Sequence, residues 1–146
     1  MVGEIQSQLS SIDPANAARY ESNGKKAEAR LDALLTEIEG ELAGLKGREF
    51  IAFHDAYQYF ENRFGMKAIG TVTVSPEVMP GAKRLKELRE KVKSSNATCV
   101  FSEPQFEPKV VKVITDGTGA RTGVLDPLGA ELKPGTELYP TLIRQM

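Results

Sequence analysis

The chain has 146 residues, of which 40% are hydrophobic and 27% charged; nineteen Lys and Arg stand against twenty Asp and Glu, for a formal net charge of −1. This is the composition of one globular domain with a real core, and the balanced charge, with no run of basic residues, argues against nucleic acid or an anionic membrane surface as a partner. No stretch nears the roughly 18 consecutive apolar residues of a membrane span, and the single cysteine, Cys99, leaves the redox compartment unread.

Ile5, Leu9 and Ile12 have the spacing of the end of a helix, and residues 1–12 are read as such. Asp13-Pro14 then reads as an N-cap followed by proline at the first helical position. From there Ala17, Tyr20, Gly24, Ala27, Leu31, Leu34, Ile38, Leu42 and Leu45 recur at helical spacing, and Lys46-Gly47 closes the run, so residues 13–47 form one long helix. At 1.5 Å per residue it is roughly 48 Å long, more than the roughly 35 Å diameter of a lobe of about 100 residues. The helix outreaches the lobe formed by residues 48–146. The segment 1–25, with Ile12, Ala17 and Tyr20 along its apolar side, is therefore expected to self-associate or to fray.

From residue 49 short apolar runs alternate with amphipathic segments. Strands are predicted over 49–53, 68–74, 97–103 and 120–126, and helices over 56–65, 80–95, 107–117 and 136–146. Alternation with short connections predicts an α/β lobe, a four-stranded parallel sheet covered by helices and preceded by the long linker helix. Cys99, inside the apolar "ATCVF", is expected to be buried and unpaired. Met1-Val2-Gly3-Glu4 has neither the basic start nor the apolar core of a signal peptide, as a trimmed exported protein also would not.

In an open parallel sheet, ligands gather outside the carboxyl ends of the strands. The residues there are His54 and Asp55, then Ser75 and Glu77, then Ser102, Glu103 and Gln105, and last Asp126. An imidazole with several carboxylates suits Zn²⁺ or Mn²⁺. The same residues also have ordinary roles: His54 hydrogen-bonding to nearby backbone, Asp55 capping the next helix, Glu103 in an edge salt bridge, and Asp126-Pro127 starting a turn. Catalysis has less to stand on. There is no nucleophile elbow, no phosphate-cradling glycine loop, no Cys-x-x-Cys and no second histidine. A hydrolase using His54 with Ser75 or Ser102 is the weakest of these readings.

Four blocks, "FIAFHDAYQYFENRFGM", "TVTVSPEVMPGAKRLKELREKV", "ATCVFSEPQFEPKVV" and "GVLDPLGAELKPG", resemble in order and separation the second half of the ZnuA-type zinc solute-binding proteins of bacterial ABC importers. The resemblance covers nearly the whole chain and implies a C-terminal lobe with its lobe-connecting helix, residues 1–12 being the end of a helix from an N-terminal lobe that this chain lacks. It further implies a periplasmic, non-enzymatic protein that passes Zn²⁺ to the membrane permease of an ABC importer. The metal would lie between the lobes, with His54 matching the second-lobe histidine ligand, Asp126 the carboxylate ligand and Glu103 an acid near the site. Histidine favours zinc over the harder Mn²⁺, while Cu²⁺ or Ni²⁺ would also bind in vitro. Zinc members often pair the cysteine at the position of Cys99 with one near their C-terminus, and no such partner occurs here. The alternatives are an α/β enzyme domain with His54 and Asp126 as base and orienter, and an interaction domain whose long helix pairs with a partner.

Overall fold

The computed structural model describes every residue except Pro76, Glu77, Asn96 and Pro108, so the expectation for Glu77 lies outside the described residues. Two compact units, Met1–Glu41 and Leu42–Met146, divide the chain. Among the described residues no helix is long and apolar enough to cross a membrane.

The first unit is a helical hairpin. Helix α1, Val2–Ile12, is followed by a 3₁₀ turn at Pro14–Asn16 and by α2, Ala17–Leu42. A second 3₁₀ turn, Ala43–Leu45, prolongs the helical run. The side chain of Gln6 fills the space beside Gly24, and Gly3 lies against Glu28, so α1 runs back along α2. The expected backbone cap by Asp13 is not made. Its carboxylate instead accepts from the Asn16 amide at 2.7 Å and from the Tyr20 hydroxyl at 2.9 Å, which leaves that oxygen no need of a backbone donor.

The second unit alternates strand and helix: β1 Phe50–Ala52, α3 Gln58–Phe64, β2 Ala68–Thr71, α4 Ala82–Ser94, β3 Cys99–Ser102, α5 Lys109–Thr115, β4 Arg121–Val124 and α6 Leu138–Gln145. All four strands pair in parallel in the order β2-β1-β3-β4. This is the predicted α/β sheet. Helix α3 stops at Gly65, whose φ of 67° is the left-handed conformation that glycine adopts without a Cβ clash.

Because neighbouring side chains on a strand point to opposite faces, each strand feeds two layers. Ile51, Val72 and Val100 pack with Leu88 and Val92 of α4 and Val111 and Ile114 of α5 in the main core. On the other face Ala52, Tyr57 and Leu125 form a smaller cluster with Phe50, Phe101 and Met146. That face is only partly covered. A groove of about 710 Å³ opens over it, lined among others by Phe50, Cys99, Phe101, Leu125, Met66 and Met146. Cys99 is consequently a free, half-buried thiol rather than a buried one, since its side of β3 borders the groove.

Candidate functional site

The order β2-β1-β3-β4 fixes where a ligand would go. The chain leaves β1 toward β2 on one side and then crosses over to β3 and β4 on the other, so β1 and β3 flank the point where the connections diverge. In open α/β sheets the carboxyl ends of such a pair form a crevice. His54 follows β1 and Glu103 follows β3.

Backbone pairing carries past the strand ends and aims these residues. The Val72 and Thr73 amides donate to the Ala52 and Phe53 carbonyls at 3.0 and 2.9 Å, and the Leu125 amide donates to the Ser102 carbonyl at 2.9 Å. Glu103-Pro104-Gln105-Phe106 is a tight turn closed by the Phe106 amide donating to the Glu103 carbonyl at 3.1 Å, with proline at its second position. The Phe106 ring stacks on Phe53 at a centroid distance of 4.7 Å and 7° between planes. This stacking pins the turn to the loop that carries His54.

The turn serves both candidate ligands. From its first residue, Glu103 Oε1 lies 2.7 Å from His54 Nδ1 and accepts from the Tyr57 hydroxyl at 2.9 Å. Glu103 is only 2% exposed, a buried carboxylate. From its third residue, the Gln105 amide donates to Asp126 Oδ1 at 3.0 Å. Asp126 Oδ1 also accepts from the amides of Leu128 and Gly129 at 3.1 and 3.0 Å, and Oδ2 accepts from Ala130 at 2.7 Å. With three donors Oδ1 is saturated, whereas Oδ2 keeps a lone pair free for a cation.

The charges follow from these contacts. Burial opposes ionisation of Asp126, but the hydrogen bonds from Gln105 and from the Ala130, Leu128 and Gly129 amides outweigh it and hold the carboxyl below its ordinary value. Burial first, then the charge and hydrogen bond of Glu103 and the charge of Asp126, push the Tyr57 phenol far above its ordinary value. One phenol thus feels both carboxylates, and it remains a neutral donor.

The other candidates fall elsewhere. His54 contacts Glu103, not Asp126, which lies one strand further along the same edge. Asp126 therefore does not orient His54, as the alternative of an enzyme base and orienter would require. Ser102 Oγ donates to the Gly123 carbonyl at 3.1 Å, and Ser75 uses its backbone to bind the Thr73 hydroxyl. Asp55 is exposed and does not cap α3, whose N-cap is Tyr57 without a side-chain cap bond. Among the described residues no three His, Cys, Asp or Glu stand close enough to enclose a metal ion. Tyr57 escaped sequence reading because its spacing was that of a core aromatic; its hydroxyl matters only once β1 and β3 are known to be neighbours.

An α/β lobe thus presents a histidine and two carboxylates at its strand-switch edge. The whole chain, residues 1–146, matches the family described as ZnuA, zinc-uptake complex component A periplasmic, and belongs to it. It is 60% identical over 146 residues to the high-affinity zinc uptake system protein ZnuA of Brucella abortus, covering 100% of this chain and 44% of that relative. A crystal structure of ZnuA superposes with a TM-score of 0.78 at 32% identity, over 96% of this chain and 51% of the other. The laminin-binding protein Lmb of Streptococcus agalactiae, described as a bifunctional protein with adhesin and metal transporting activity, gives a TM-score of 0.78 at 28% identity, over 97% of this chain and 55% of the other. The chain thus spans less than half the length of the Brucella relative.

Proposed function

We propose that this chain acts as the C-terminal, metal-binding lobe of a zinc solute-binding protein of an ABC importer, with residues 1–12 ending a helix of a preceding lobe, 13–47 connecting the lobes and 48–146 carrying the site. Zn²⁺ is its cargo, bound without turnover. His54 would supply an imidazole nitrogen and Asp126 a carboxylate oxygen, and ligands from outside this stretch would complete the tetrahedron. A site split between lobes lets the cargo close one lobe on the other, the form a permease would then recognise. Its compartment would be the periplasm, as the family's description has it.

One observation carries this reading: His54 is held at the strand-switch edge by one ring nitrogen, while the other has no hydrogen-bond partner among the described residues, on the same sheet edge that carries Asp126 with its free lone pair. Two protein ligands leave at least two tetrahedral positions to water, so calorimetric titration of the isolated chain with Zn²⁺ should show weak binding that His54→Ala abolishes. Tight stoichiometric binding by the monomer, or a signal indifferent to His54→Ala, would refute the assignment.

A further inference from the structure

We infer that Glu103, steadied by Tyr57, is a positioning residue that fixes the tautomer of His54 and leaves Nε2 as the nitrogen that meets the metal; this rests on the reading of His54 as a ligand. Glu103 Oε1 already accepts the Tyr57 hydroxyl hydrogen at 2.9 Å, so its 2.7 Å contact with His54 Nδ1 is one in which the ring donates. A neutral imidazole carries one N–H; with that hydrogen on Nδ1, Nε2 holds the lone pair.

Three features make this contact a device rather than a chance ion pair. The carboxylate is 2% exposed, so water does not compete for it. Its second donor, Tyr57, is 4% exposed and cannot swing away to solvent. The backbone that carries Glu103 belongs to the turn anchored by the Phe53–Phe106 stack, which ties it to the residue preceding His54. A ring held this way offers a metal a preset nitrogen.

The chain has a single histidine, so long-range ¹H–¹⁵N correlation spectra of the imidazole need no assignment. Under mildly alkaline, metal-free conditions the spectrum should report hydrogen on Nδ1 and a bare Nε2. Glu103→Ala should release the ring toward the Nε2–H form. Glu103→Gln, whose amide oxygen can still accept, should retain Nδ1–H, and Tyr57→Phe should give a partial shift with the fold intact by backbone amide spectra. Added Zn²⁺ should move the Nε2 resonance, with affinity lowered about 10- to 100-fold in Glu103→Ala and less in Glu103→Gln. A wild-type ring that is mainly Nε2–H, or a tautomer unchanged in well-folded Glu103→Ala, overturns the inference whatever the metal does. Nδ1–H in the wild type, lost in Glu103→Ala, with no response of Nε2 to Zn²⁺, upholds the positioning role and overturns the reading of His54 as a ligand.

Discussion

Gly123→Ala tests whether the groove over the second face of the sheet is open. Gly123 pairs directly with Phe101 across β3 and β4, and a Cβ built on it would lie 2.6 Å from Phe101 Cε1 and 2.8 Å from Cδ1. Carbon atoms prefer about 3.5–4.0 Å, so the ring must retreat by about 1 Å. In a closed core such overpacking costs about 1–3 kcal/mol. Here the ring borders about 710 Å³ of open groove and can tilt into it. What it gives up is the edge-on contact with Phe50, at a centroid distance of 5.7 Å and 82° between planes, worth about 0.5–1.5 kcal/mol. Replacing a strand glycine by alanine returns about 0.5–1 kcal/mol through the unfolded chain. The two nearly offset, and the expected change lies within about 1 kcal/mol. Urea unfolding followed by circular dichroism measures it as a midpoint shift at constant slope, the chain having no tryptophan to report by fluorescence. A loss above about 2 kcal/mol would mean that the ring cannot move and that the groove is filled, contrary to the argument.

Cys99 lines that groove as a half-buried thiol, so a small maleimide should label it without unfolding; protection equal to that of the global unfolding rate would show the groove to be closed. The Asn16 amide first, then the Tyr20 hydroxyl, hold the Asp13 carboxyl below its ordinary value, so its folded value lies below its unfolded one. Its stabilisation is thus present above the unfolded value and lost as pH falls through the folded one, and Asp13→Asn should flatten the acid dependence of helicity in the hairpin. Equal acid profiles for the two proteins would count against that. Helix α1 buries no residue whereas α4 buries Leu88 and Val92, so amide exchange should be faster in α1 than in α4. Protection of α1 that rises with protein concentration would reveal self-association through its exposed Ile5, Leu9 and Ile12 instead.

The sheet was legible because its signal is local. Apolar runs such as "FIAF" and "TCVF", separated by charged amphipathic stretches, define strands and helices without knowledge of their neighbours. His54, Glu103 and Asp126 could be placed at one edge on the same grounds, since parallel strands share their carboxyl ends. Which of them touch could not. That depends on strand order, and only the insertion of β1 between β2 and β3 sets Glu103 beside His54 while leaving Asp126 a strand away. Cys99 was misjudged for a related reason. An apolar strand looks the same whether both its faces are covered or one opens on a groove, and that is decided by how far elements distant in sequence, such as α3, close over the sheet. Asp13 had the sequence of a cap, yet Tyr20, two helical turns on, took its carboxylate.

The Glu103–Phe106 turn holds the partner of His54 at one end and a partner of Asp126 two residues later. The two residues proposed as ligands are therefore each hydrogen-bonded to one short turn. A shift of that turn would act on both hydrogen bonds at once. Replacing Pro104 or trimming Phe106 should accordingly retune the preference among ions of different radius with His54 and Asp126 untouched, and variation in ion choice among relatives should be sought in these four positions as much as in the ligands themselves.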